Sequence, residues 1–325
     1  MKRIGKTPPP KRLVGCELIA LAARDPAAFV ETCEQRYHDR LDAVAQKALE
    51  AGVQIIMLTG PSAAGKTTTA HKLADRIAAA GVRSAVMSLD DFFVGEGRYP
   101  KQPDGSDDYE CVEALDLPVL RGCLRSLAET GVCDAPVFSF LQQRPTGETH
   151  RIDARGGIAI VEGLHAFNPA LAVDELPDGT ALHLYAGLRE EYAGPTGARR
   201  LATRDIRLAR RLTRDFLFRG HDADFTLRLW PHVCESEDKY IKAFKSRADL
   251  VLDTSFSYEV CLWEHYTQQM HATAHAARLR ELCARFADFV PLPGAVVPAD
   301  SMLREFIGPK NASNSQECAA GAKSS

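Results

Sequence analysis

The chain has 325 residues, of which 45% are hydrophobic and 26% charged, and its formal net charge is −3. That length and balance describe an ordinary globular protein with room for one large α/β domain plus extensions. Near-neutral charge argues against a general nucleic-acid or membrane-surface binder, and no segment stays apolar for long enough to span a bilayer.

Nine cysteines are scattered along the chain, odd in number and never in a C-x-x-C pair. Neither a zinc site nor a disulfide framework follows from that pattern, and a reducing, cytoplasmic compartment suits it best. Residues 1–12 are basic and proline-rich, and residues 311–325 are small and polar. The expected organisation is a disordered or loosely packed extension over 1–24, a single domain over 25–308 with helical additions at both ends, and a disordered tail over 309–325. Residues 13–23 faintly imitate a leader, but Pro8-Pro9-Pro10 and Glu17 interrupt the pattern. Asp25-Pro26 opens a helix through Ala51, with Phe29, Cys33, Tyr37, Leu41, Val44 and Leu49 at helical spacing.

The run 53–58 is short, apolar and branched, as a buried parallel strand requires. It leads into Gly60-Pro61-Ser62-Ala63-Ala64-Gly65-Lys66-Thr67, which fits G-x-x-x-x-G-K-[ST] at every fixed position. A helix over 67–80 follows, with Gly81 as its stop. Two glycines let the backbone curl so that successive N–H groups, from Gly60 through Thr68, and the helix N-terminus converge on one anion. Lys66 adds a positive charge and Thr67 a magnesium ligand. Nucleotide binding is the expectation.

Residues 84–89 form a second expected strand ending at Asp90-Asp91. In open parallel sheets the ligand lies beyond the carboxyl ends of the strands, where these acids would sit. A loop over 95–108 precedes a helical stretch over 110–129. Val137-Phe138-Ser139-Phe140 alternates like a short strand, and residues 158–163 form a buried strand that ends on Glu162-Gly163. Residues 181–186 and 248–253 complete the expected strands, and 257–286 the closing helices. In the helix over 203–218, with Thr203 as its cap, Arg207, Arg210, Arg211 and Arg214 share one face, and Leu208, Ala209, Leu212 and Phe216 the other. Like charges at that spacing repel, so an anion neutralises the face, either a ligand or internal acids such as Asp205 and Asp215.

These residues resemble the uridine kinase and phosphoribulokinase family of phosphate-loop kinases, and more closely its bacterial uridine-kinase-like nucleoside kinases. The match runs from about Val53 to Tyr266. It is carried by the phosphate loop, Ser88-Leu89-Asp90-Asp91-Phe92-Phe93, Asp108-Tyr109-Glu110, Glu162-Gly163-Leu164-His165, the arginine helix and Phe218-Arg219-Gly220-His221. The resemblance implies an α/β, doubly wound parallel sheet of the phosphate-loop NTPase type with an arginine-rich lid helix, and the cofactors ATP and Mg²⁺. It implies a general base at Asp90, catalytic roles for Lys66, Arg207 and Arg211, phosphate binding by Arg210, and metal support from Thr67 and Glu162. It assigns the acceptor to Asp90, Glu113, Phe138, Phe140, Gln143, Arg207 and His221.

The implied activity is transfer of the γ-phosphate to a small-molecule hydroxyl, with the 5′-hydroxyl of a nucleoside as first choice. The expected partner is that small molecule, with no nucleic acid or membrane, and a homo-oligomer is left open. The chain departs from the family where a Y-x-F-x-x-H pattern is usual: Phe138 lacks the hydroxyl and Gln143 replaces the histidine. His221 also stands for an arginine. Another sugar-type or vitamin-precursor hydroxyl, and a regulatory ATP-binding switch, stay open as alternatives.

Overall fold

The computed structural model describes residues 10–102 and 105–309. The ends 1–9 and 310–325, where disorder is expected, lie outside those residues. In chain order the strands and helices are β1 (Arg12–Gly15), α1 (Cys16–Ala22), α2 (Pro26–Ala51), β2 (Ile55–Thr59), α3 (Lys66–Ala79) and β3 (Ser84–Ser88). There follow α4 (Leu117–Thr130), β4 (Val132–Ser139), β5 (Arg144–Asp153), β6 (Ile158–Glu162), β7 (Ala181–Gly187), β8 (Glu190–Ala193) and β9 (Arg199–Leu201). The chain closes with α5 (Thr203–Phe218), α6 (Ala223–Tyr240), β10 (Leu250–Asp253), α7 (Trp263–Gln268), α8 (Ala276–Phe286) and α9 (Arg304–Ile307).

Two compact units divide these elements. The first holds His38–Gly187 and His232–Thr254, and the second holds Pro10–Tyr37, Leu188–Pro231 and the described residues from Ser255 onward.

The first unit is built on a five-stranded, all-parallel sheet in the order β10-β7-β2-β6-β3. All five residues of β2 and of β6 are buried, which only a central strand covered on both faces can satisfy. Ile55, Met57, Met87, Val161, Leu124 and Leu127 belong to the apolar core of this unit. Register matters most at the carboxyl edge, where Leu58 and Ser88 both pair with Glu162. The end of β2, the acid of β6 and the end of β3 therefore stand side by side. α4 starts later than the helical pattern suggests, because Asp116 accepts the Val119 N–H at 3.3 Å and Pro118 fits the first turn. β4 and β5 form a separate antiparallel hairpin.

In the second unit β8 pairs with β1 in parallel and with β9 antiparallel. The extension expected to be loose over 1–24 is thus ordered from Arg12, and α1 buries Cys16 and Ile19. Glu190 and Glu191 are buried on β8, and ion pairs make this tolerable: Arg12 lies 2.9 Å from Glu190, and Lys11 and Arg199 lie 2.6 and 3.1 Å from Glu191. Tyr37, Phe256, Tyr258, Trp263, Phe286 and Phe306 are fully buried, and Glu34 accepts hydrogen bonds from Tyr258 and Ser301 at 2.6 and 2.5 Å. α6 contains Pro231, whose missing N–H would strand the Leu227 carbonyl; Arg278 donates to that oxygen at 3.1 Å.

Candidate active site

The phosphate loop begins where β2 ends. Gly60 has no room for a side chain, since a Cβ there would run into the Ala186 carbonyl oxygen at the end of β7. Gly65 takes a left-handed φ of 82° immediately before α3, and Ala63 also adopts a left-handed φ of 58°. The Ala64 N–H bonds back to the Pro61 carbonyl at 3.1 Å, closing the curl. Lys66 lies half-buried with its ammonium 3.5 Å from the same carbonyl, while Thr67 stands exposed on the first turn of α3. The strand, loop and helix order expected of residues 53–80 is what the fold contains.

Side chains from the first turn of α3 and from the ends of β6 and β3 then join in one hydrogen-bonded chain. Thr67 donates to Glu162 Oε1 at 3.1 Å, and Ser88 donates to the same oxygen at 2.9 Å. The Ser88 hydroxyl in turn accepts the Asp90 N–H at 3.3 Å, which caps the tight turn Leu89–Phe92. Glu162 is only 4% exposed, and burial pushes its carboxyl up from the usual range. Lys66 draws it back down, Asp90 raises it, and the two hydroxyls lower it again. Asp90 itself is exposed. Its neighbour Asp91 is raised chiefly by burial, with His150 at 3.9 Å lowering it and Asp90 raising it. Among the described residues no cluster of three or more His, Cys, Asp or Glu could hold a metal ion. A magnesium ion that keeps waters and phosphate oxygens needs only one or two protein ligands, and the pair Thr67 and Glu162 fits that donor set.

Beyond Asp90 five aromatic rings gather. Phe93 lies 5.7 Å from Phe138 and 6.5 Å from Phe140, and those two are 5.1 Å apart. Phe93 also meets Tyr99, which meets Tyr109 at 4.7 Å. Phe138 is buried, whereas Phe140 is 57% exposed. Gln143 has a left-handed φ of 52° and spends its amide N–H on the Phe140 carbonyl at 2.7 Å. Glu113 is exposed on the turn Val112–Ala114. Asp108 accepts the Glu110 and Cys111 N–H groups, both at 3.1 Å, the work of a turn residue. His165 follows Glu162 into the interior: Nε2 lies 3.0 Å from the Glu110 carbonyl, Nδ1 is buried without a hydrogen-bond partner, and burial lowers its pKa to about 4.

Arg207, Arg210, Arg211 and His221 belong to the second unit. There the arginine face of α5 is not an open patch. Arg210 has zero exposure and is held bidentately by Glu259, both bonds 2.7 Å, with the Phe306 ring 5.2 Å away. A guanidinium committed in this way does not fit the expected role as a phosphate ligand. Arg211 and Arg214 lie 3.3 and 3.0 Å from the buried Asp215. The internal neutralisation that the sequence left open is thus real for three of the four arginines. Arg207 is also buried and lies over the Trp230 ring at 5.5 Å. Phe216, expected on the apolar face, is 40% exposed. Ala202, not Thr203, occupies the cap position of α5, and its N–H is taken by Asp205 at 2.8 Å. His221 stacks on Phe225 at 4.0 Å.

Two further residues touch this site. Ser88 is visible in the sequence as the first residue of Ser88-Leu89-Asp90, although its link to Glu162 is not. Glu237, on α6, accepts the Ser62 N–H of the phosphate loop at 3.0 Å. Nothing in the sequence marks it.

Residues 55–180 and 201–260 match the model of the phosphoribulokinase / uridine kinase family. The uridine kinase of Saccharomyces cerevisiae is 25% identical over 201 residues, covering 61% of this chain and 36% of that protein. The uridine kinase of Lactobacillus helveticus is 26% identical over 210 residues, covering 64% of this chain and 90% of that protein. The chain therefore matches about a third of the length of the yeast relative and nearly all of the bacterial one. A solved structure of a possible uridine kinase from Bacillus stearothermophilus aligns with a TM-score of 0.45 at 18% identity, covering 66% of this chain and 98% of that one. With over half of its length matched by the family model and a phosphate loop leading off the central strand of a parallel sheet, the chain belongs to the phosphoribulokinase / uridine kinase family of kinases.

Proposed function

We propose that this protein is an ATP-dependent kinase that transfers the γ-phosphate to a hydroxyl of a small molecule, with a nucleoside 5′-hydroxyl as the first choice of acceptor. The observation that carries the reading is the chain Thr67–Glu162–Ser88–Asp90 at the mouth of the phosphate loop. A regulatory switch needs loop and metal support, but has no use for an exposed carboxylate held beside them. ATP with Mg²⁺, when bound, supplies the phosphoryl group and the countercharge. The loop amides and Lys66 hold phosphate oxygens, and Thr67 with Glu162 supports the metal, directly or through water. Asp90 accepts the proton of the acceptor hydroxyl, and the exposed ring of Phe140 offers the acceptor an apolar face. No described helix is long and apolar enough to cross a membrane.

The acceptor has a second reading, favoured by one observation: Gln143 turns its amide N–H onto the Phe140 carbonyl, and Phe138 carries no hydroxyl. A site with few free polar groups around its rings discriminates a nucleobase weakly, so another sugar-type hydroxyl compound is the alternative. Turnover with ATP and magnesium across nucleosides, sugars and sugar alcohols, with the product identified by mass, decides between them. ATP binding without phosphorylation of any acceptor would leave only the switch.

A further inference from the structure

We infer that Glu237 is a positioning residue of the phosphate loop: its buried carboxylate holds the Ser62 peptide so that the loop keeps its anion-binding shape. The inference rests on the nucleotide-binding reading of that loop.

Glu237 is 1% exposed, on α6, and its Oε1 accepts the Ser62 N–H at 3.0 Å. A buried carboxylate is costly unless hydrogen bonds support it, and bonds to an ionised acceptor are about twice as strong as neutral ones. The position of this one is informative. A phosphate loop works by aiming its N–H groups at the incoming phosphates, so a carboxylate beside one of them either competes for the cradle or braces it from behind. Burial decides for the brace. The ligand-facing groups are open, with Thr67 exposed and Lys66 only half-buried, whereas Glu237 has almost no contact with solvent. Ser62 also needs an external tie. It sits between Pro61, whose carbonyl bonds to the Ala64 N–H, and Ala63, whose left-handed φ of 58° is unfavourable for a residue with a Cβ. A strained turn persists only where its surroundings over-determine it. Glu237 at Ser62 and the Ala186 carbonyl against Gly60 fix the loop from two sides.

The test compares Glu237→Gln, which keeps an oxygen acceptor, with Glu237→Ala, which removes it. ATP affinity measured by calorimetry in the presence of magnesium needs no acceptor, and wild-type binding is established first, so failure of the nucleotide-binding reading appears as failure of the wild type itself. Glu237→Ala is expected to weaken ATP binding about 10-fold or more, and Glu237→Gln to stay within about 3-fold of wild type, the range that loss of one charge-assisted hydrogen bond sets. A folded Glu237→Ala protein that binds ATP like wild type would overturn the inference. So would a Gln variant as weak as Ala, or one that binds more tightly than wild type, because the charge would then be competing with phosphate. If Glu237→Ala does not fold, hydrogen exchange over residues 60–67 decides: the Gln variant should exchange faster there than wild type, and unchanged exchange sinks the proposal.

Discussion

Charged side chains are treated oppositely in the two units. At the carboxyl edge of the parallel sheet, Glu162 accepts from the hydroxyls of Thr67 and Ser88 and lies under the influence of Lys66, and Asp90 stands exposed. On α5, Arg210 is held bidentately by the buried Glu259, and Arg211 and Arg214 lie beside Asp215. An acid left with neutral partners keeps capacity for a cation or a proton, whereas a guanidinium gripped bidentately by a buried carboxylate has less to lend. The phosphate-loop edge therefore has the character of a site. Much of the arginine helix has the character of a scaffold.

The sharpest way to break this contrast is at the open edge. Asp90→Asn keeps size and cannot accept a proton, so acceptor phosphorylation should fall by roughly two to four orders of magnitude with ATP affinity nearly unchanged. Lys66→Ala should abolish turnover while circular dichroism stays that of the wild type, because the proposed role of the side chain is to hold phosphate. Wild-type rates in either variant would remove the distinction between the two regions. Next in size is Arg210→Ala, which leaves Glu259 buried and unpaired and should cost about 3–5 kcal/mol of stability, read from denaturant melts. A variant of normal stability with slow phosphoryl transfer would return Arg210 to the phosphates.

Much of the fold was legible and the arginines were not, for the same reason. Residues 53–58, 84–89, 158–163, 181–186 and 248–253 are largely apolar runs, and each matches a strand of the parallel sheet to within about two residues at either end. Their order is another matter, because β6 enters between β2 and β3 from 70 residues downstream through pairing that no local pattern encodes. β8 is invisible locally: Glu190 and Glu191 read as surface, and only partners such as Lys11 and Arg12 make them interior. Arg210 fails to declare itself for that reason too, as Glu259 lies far along the chain. β5 is polar throughout most of its length and forms by pairing with β4. Within the site, the phosphate loop and Asp90 follow from motif, whereas Glu237 depends on how α6 packs.

A fourth test uses pH. His165 is buried, and that burial lowers its pKa to about 4 from the ordinary histidine value of about 6.5. The unfolded chain binds the proton more readily, so stability is fully present above about pH 6.5 and is lost as pH falls towards 4, by about 3 kcal/mol in all. His165→Phe should flatten that part of the stability curve, measured by melts from pH 7 to 4; an unchanged slope would assign it to other groups. The smallest expected effect concerns the arginine that sharpens the comparison from the other side. Arg207→Ala should lower the single-turnover rate about 10-fold, more than its melting temperature suggests, if part of α5 serves ligand phosphate. Melting shifts without a rate change would make the whole helix a scaffold.

The first glycine of the phosphate loop carries a kinetic meaning as well. Because a Cβ at Gly60 would strike the Ala186 carbonyl, the loop lies flush against the end of β7, with no slack at its entrance. A nucleotide arriving there meets a surface already shaped, and little chain has to be ordered on contact. Capture should then be governed by how often nucleotide and protein meet, and the lifetime of the complex by how many phosphate contacts must break at once.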